Sequence, residues 1–127
     1  MHPLPLLPTP SNRLAVLALL LSLAGGSLAA QGISQGFELE RAGKLPQAVD
    51  YYRTVLRADS TNMVALLGLE RVLPQLGRLN ELVPLVERAA HATQERDAGV
   101  LGLELRTFVA LSMNDSVAAL AHRWTAR

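Results

Sequence analysis

Cysteine is absent from the 127 residues, and aromatic side chains make up only 4% of them. The first absence excludes disulfides, thiolate metal sites and a lipid attached to cysteine at a processed terminus, while fitting either redox compartment. The second, beside a hydrophobic content of 50%, means that any core is built from Leu, Val and Ala. Such a core favours helix packing over a β-sandwich, whose strands draw on β-branched and aromatic residues. Charge of one sign is lacking too: the formal net charge is +1, without the basic stripe that nucleic-acid binding leaves in a sequence. The length admits one domain at most.

Clustered catalytic groups are also missing. The three histidines are His2, His91 and His122, and none falls in HExxH or a comparable metal-ligand spacing. His91 reads as a solvated residue near a helix C-terminus, where it complements the dipole, and His122 as an exposed neighbour of Trp124. Glu38 and Glu40 lie two apart, hence on different faces of one helix. Glu81, Glu87, Glu95 and Glu104 read as solvated faces and partners of arginine. There is no glycine-rich phosphate loop. A nucleophile, base or metal set of the kind an enzyme needs is not visible, so the expectation is a non-enzyme with no cofactor and no metal.

What is present starts with an export pattern. Met1 to Arg13 is a proline-rich leader with one positive charge, Leu14 to Leu23 is an apolar run, and Ser27-Leu28-Ala29-Ala30 follows a Gly25-Gly26 pair. A charged leader, a short apolar run and small residues at −3 and −1 are what signal peptidase requires. Cleavage is expected after Ala29 or Ala30, giving residues 1–30 as signal peptide and 31–127 as the mature domain. The alternative is an uncleaved anchor: Leu14 to Ala30 is uncharged but short for a bilayer core of roughly 30 Å. Arg13 is the only one of the 12 basic residues removed by either cut, so the mature chain sets 11 basic residues against 11 acidic ones. The expected destination is the bacterial envelope, periplasmic or secreted, with no membrane contact after cleavage.

After the signal the apolar residues follow helical spacing. Gln31 to Ala42 carries Ile33, Phe37 and Glu40-Arg41, and Gly43 ends it with the positive φ that glycine permits. Pro46 suits a first helical turn, and Ala48, Val49, Tyr52, Val55 and Leu56 form one stripe opposite Asp50, Arg53 and Arg57. Asp59 to Asn62 reads as a turn that caps a third helix, Met63 to Leu76, with Leu66, Leu69, Leu73 and Leu76 on one face and Pro74 closing or kinking it. Gly77 is the next turn, and Asn80 is expected to cap a fourth helix carrying Leu82, Val83, Val86, Ala89 and Ala90. The polar stretch His91 to Asp97 connects to a fifth helix, Ala98 to Met113, with Leu101, Leu105, Phe108 and Val109 along one side. Asn114-Asp115-Ser116 is expected to turn and cap a sixth, with Leu120, Ala121 and Trp124.

Gly43 and Gly77 lie 34 residues apart, as do Ala48 and Leu82, with the helix pattern in phase. That period, and Gly36, Leu39, Ala42-Gly43, Ala48-x-x-x-Tyr52, Leu56 and Asp59, resemble the tetratricopeptide repeat. Gly36 stands at the small position of the first helix, Leu39 in place of its tyrosine, and Ala48 and Tyr52 at the Ala-x-x-x-Phe element of the second. The next unit is looser: Leu66, Leu69, Leu73, Gly77, Leu82, Val86 and Ala89 keep the spacing, but Glu70 replaces the glycine and Leu82 the small residue. Ala110, Asn114 and Ala119 align only after about three extra residues. The resemblance implies an all-α fold of about three antiparallel helix hairpins stacked as a short α-solenoid; the alternatives are a generic α-solenoid or a small helical bundle.

The resemblance further implies a concave groove, lined by the first helix of each hairpin, that holds a protein or peptide. The matching positions are Ile33, Phe37, Glu40 and Arg41, then Val64, Leu67, Arg71 and Gln75, with Leu101, Glu104 and Phe108 as a looser carry-over. Phe37 and Phe108 are alternatively ordinary core residues. The expected function is a non-catalytic interaction module of the bacterial envelope. Two other readings stay open, the N-terminal part of a larger envelope protein and a small helical envelope enzyme. The last helix has Leu120, Ala121 and Trp124 with no cap after them, so self-association through it is expected unless Trp124 packs on Phe108.

Overall fold

The computed structural model describes the backbone of residues 28–126 and the side chains of residues 34–126. The expected signal peptide and its apolar run therefore lie almost wholly outside the described residues, as does His2. The described residues form six α-helices and no strand: α1 (Leu28–Arg41), α2 (Leu45–Ala58), α3 (Met63–Val72), α4 (Val83–Ala92), α5 (Ala98–Ala110) and α6 (Asn114–Thr125), with 3-10 turns at Pro74–Leu76 and Leu79–Leu82. The fold is all-α. None of the described helices is long and apolar enough to cross a membrane.

Helices α1, α4 and α5 and the first 3-10 turn end in the same way, and only two of these four ends use glycine. The Lys44 N–H donates to Leu39 O and the Arg78 N–H to Leu73 O, each at 2.9 Å, across Gly43 (φ 73°) and Gly77 (φ 67°). The Glu95 N–H reaches Ala90 O and the Met113 N–H reaches Phe108 O, each at 2.8 Å. There the left-handed residues are Gln94, Glu95 and Ser112, which bear the Cβ that glycine lacks. This is the bond that satisfies a carbonyl left free at a helix end. The turn before α6 is thus at Ser112 rather than at Asn114-Asp115-Ser116, and α6 begins without a side-chain cap.

Helix starts follow local chemistry more closely. Asn62 Oδ1 accepts the Ala65 N–H at 3.1 Å and Asp97 Oδ1 accepts the Val100 N–H at 3.0 Å, each satisfying an orphan donor. Pro46 occupies the first turn of α2. Pro74 closes α3 at Val72 and opens a 3-10 turn, as its missing N–H dictates. Asn80 caps nothing: it lies inside the second 3-10 turn, and α4 starts at Val83 with Pro84 in its first turn.

Helix α2 packs on α3, α3 on α5, α4 on α5 and α5 on α6, while the two 3-10 turns pack on α3 and the second also on α4. The predicted α2 stripe is buried at Ala48, Val49, Tyr52 and Leu56, and α3 and α4 add Leu66, Leu69, Val72, Leu73, Leu82, Val86 and Ala89. Tyr52 sits between two glycines. A Cβ on Gly36 of α1 would lie 2.6 Å from Tyr52 Cε1, and one on Gly68 of α3 2.6 Å from Tyr52 Cε2. Both helices approach the ring at backbone distance, which only glycine allows.

The face of α5 departs from the expected one. Val100, Leu103, Glu104, Thr107 and Phe108 are buried, Leu101 and Leu105 are half-buried, and Val109 is 58% exposed. Burying α5 against α3, α4 and α6 at once turns the predicted stripe part-way out. In α6 Leu120 is buried, Ala121 is exposed, and Trp124 keeps 38% of its surface. His91, in the last turn of α4, and His122 are both exposed.

Candidate functional site

Phe37 and Glu40, one turn apart on α1, meet Arg71 of α3. The Arg71 guanidinium grips the Glu40 carboxylate with both arms, Nε to Oε1 at 3.1 Å and Nη2 to Oε2 at 3.0 Å. Its Cζ lies 5.3 Å from the centre of the Phe37 ring, in range for a cation–π contact. Phe37 in turn sets its edge against Tyr52, ring centres 6.4 Å apart, and the Tyr52 hydroxyl donates to Glu40 Oε2. Gln75 donates to Arg71 O at 2.9 Å. Four of the residues expected in the groove, Phe37, Glu40, Arg71 and Gln75, therefore form one cluster, and Tyr52 joins them from the core.

Electrostatics fix the charge state of this cluster. Burial raises the Glu40 pKa, but hydrogen bonds from Arg71 and Tyr52 and the Arg71 charge outweigh it, leaving the carboxyl below its ordinary value. Burial and the adjacent carboxylate push the Tyr52 phenol up, so it stays a donor. A carboxylate held this way is a weak base. Its chemistry here is to orient Arg71.

A second pair repeats the arrangement further along. Arg106 of α5 holds Glu70 of α3 with Nε to Oε2 at 3.1 Å and Nη2 to Oε1 at 3.2 Å. Helices α1, α3 and α5 are thus braced side by side by two bidentate pairs, each joining helices distant in sequence. Phe37 (40% exposed) and Val64 (41% exposed) are large apolar residues left open on α1 and α3. Leu67 and Leu101 are partly buried against the core. Arg41 stands apart, exposed and paired with Glu38 one turn back at 3.1 Å. The Ile33 side chain lies outside the described residues.

Glu104 and Phe108 do not belong with this cluster. Each is 3% exposed, and both line a different space of about 300 Å³ with Glu87, Ala90 and His91 of α4, Glu95, and Ser116, Ala119 and Arg123 of α6. The expected solvated Glu104 is in fact a buried carboxylate. Burial raises its pKa, Glu95 and Glu87 raise it further, and Arg123 opposes them. The other acids behave as expected. Glu81 takes Arg53 at 3.1 Å and Arg78 at 3.0 Å, and Glu95 lies 3.4 Å from Arg123.

No group of three or more His, Asp or Glu side chains with the geometry to hold a metal occurs among the described residues. No protein-family model, curated protein or solved structure matches the chain.

Tyr52 hydroxyl, Gly68 and the Glu70–Arg106 pair were invisible to spacing. The 34-residue period places Glu70, not a glycine, at the position of Gly36 in the second unit; Gly68 faces Tyr52 two residues earlier. Glu and Arg recur on alternate helices at separations of 31 and 36 residues, which no fixed 34-residue period would reveal.

Proposed function

We propose that residues 31–127 are an exported repeat domain of tetratricopeptide type, a non-catalytic module that binds an extended protein or peptide segment across α1, α3 and α5. The observation that carries this reading is the braced face itself. Phe37 and Val64 stay open to solvent beside ion pairs that fix the three helices relative to one another. A rigid face costs little ordering on binding. Its chemistry of apolar anchors between fixed charges suits a peptide whose side chains alternate between apolar and polar. The 34-residue recurrence and the turn glycines, both with left-handed φ, are what favours stacked hairpins. Export to the periplasm or medium rests on the leader, apolar run and small residues before Gln31.

Charge reversal at Arg71 is a poor probe of this face, because it breaks the Glu40 pair and the hold on Phe37. Val64→Glu is better: the side chain is exposed and its replacement should leave the fold intact. Peptides selected from a random display library against purified 31–127 are expected to lose about tenfold or more in affinity for Val64→Glu and for Phe37→Ala. Selected peptides that bind Val64→Glu as tightly as the parent would overturn the assignment of the face.

A further inference from the structure

Glu104 is the one described side chain with a buried polar atom lacking any hydrogen-bond partner, its Oε2. The nearest cation, Arg123 Nη2, stands 3.9 Å from Oε1, too far for a hydrogen bond. Arg123 instead brings Nε to 3.4 Å from Glu95. A side chain 3% exposed with an unpaired carboxylate oxygen is costly, and burial of charge is tolerated when donors meet it. The same carboxylate opens onto the space of about 300 Å³ between α4, α5 and α6, which Glu87 and Glu95 also line. The Arg123 guanidinium and the His91 imidazole line it as well. Phe108 supplies an aromatic wall and Ala119 a small apolar one. An aromatic face and a carboxylate together suit a cation carried on an aliphatic stem. The end torsion of a glutamate is broad and two-fold, so either oxygen can turn to meet a donor.

We infer that this pocket binds an organic cation, a guanidinium or primary ammonium group, with Glu104 as the hydrogen-bond acceptor and Phe108 against the stem. The site is separate from the peptide face and does not depend on it. The group can come from a free amine or guanidine or from a Lys or Arg side chain of a partner protein, since the tip is the same.

Purified protein is titrated with methylguanidinium, with butylamine and with an acetylated, amidated Gly-Gly-Arg-Gly-Gly peptide, following amide shifts of residues 87–123 by NMR and heat by calorimetry. Saturable binding of at least one probe is expected, with shifts centred on Glu104 and Phe108. A response to the small cations alone assigns a free ligand, and a response to the peptide alone assigns a partner side chain. Glu104→Gln keeps the shape and should weaken binding at least about tenfold. Arg123→Met, at an exposed helix position, removes the competing cation and should strengthen it. Failure of all three probes to saturate overturns the inference, as does equal affinity for Glu104→Gln or weaker binding to Arg123→Met. Loss on Val64→Glu in place of Glu104→Gln would move the site to the other face.

Discussion

Gly68→Ala and Gly102→Ala are the same chemical change in two helices, and the structure assigns them opposite signs. Both glycines are in helix interiors, where alanine is favoured by about 0.8–1 kcal/mol. At Gly102 the added Cβ would meet only Arg106 Nη1, at 3.6 Å, an ordinary contact. That variant should gain most of the propensity term. At Gly68 the Cβ would lie 2.6 Å from both Cε2 and Cζ of Tyr52. The ring has nowhere to go: Gly36 backs its other edge at the same distance, and its hydroxyl is tied to Glu40. Overpacking of this kind costs about 1–3 kcal/mol, and a ring pinned on three sides belongs at the upper end. The net result is a loss of about 1–2 kcal/mol for Gly68→Ala against a gain of about 0.5–1 for Gly102→Ala. The two melting temperatures should then differ by roughly 10 °C for a domain of this size. Circular dichroism melts with matched urea titrations measure the difference. If Gly68→Ala is as stable as the parent or more so, the ring is not clamped and the packing of α1 and α3 on either side of Tyr52 is wrong.

Stability should respond to pH through two carboxylates of opposite sign. Glu40, held below its ordinary value of 4.5, contributes fully above that pH and loses its contribution as pH falls through the lowered value. Glu104, raised above 4.5, contributes fully below 4.5 and loses it as pH rises through the raised value. Urea titrations should therefore show Glu104→Gln flattening the decline that sets in as pH rises above 4.5 without altering the acid limb, which Glu40→Gln should alter. Ala48→Leu, fully buried where α2 meets its neighbours, is expected to cost about 1–3 kcal/mol, and exposed Asp50→Ala under about 0.5; equal melting temperatures would mean that the phase of α2 is wrong. Ser112→Gly should stabilise by about 1 kcal/mol by relieving a left-handed serine, read as a raised urea midpoint at unchanged slope. Mass spectrometry of protein from fractionated cells is expected to find a terminus at Ala30 or Gln31; an intact Met1 terminus in the membrane fraction leaves the anchor.

The parts legible in the sequence were those decided within one turn of chain. Gly43, Asn62 and Pro74 each act through their own backbone or a hydrogen bond to a near neighbour, and each ends or starts a helix where expected, while Gly77 ends the 3-10 turn after α3. The stripe of α2 was legible because that helix buries one continuous face. For α5 periodicity failed, since a helix enclosed by α3, α4 and α6 has no single buried face, and its buried Glu104 looks in sequence like any solvated acid. Ser112 was not legible because serine carries no mark of left-handed backbone. The candidate site was half legible. Phe37, Glu40, Arg71 and Gln75 converge, but Glu104 and Phe108 belong to another pocket, and nothing in their spacing distinguishes which side of α5 they take.

Glu70 and Arg71 are adjacent on α3, yet one pairs forward to α5 and the other back to α1. That helix is a two-ended coupler, carrying an acceptor for the helix after it and a donor for the helix before it. Helix α1 supplies only the acid of its pair and α5 only the base. The array therefore has a direction written in charge, and its helices are not interchangeable. A duplicated copy of α3 inserted after the original could pair at both ends, Arg71 of the copy with Glu70 of the original and its own Glu70 with Arg106. A duplicated α1 or α5 would leave a like charge facing its twin. Growth of such an array by duplication would have to pass through the middle.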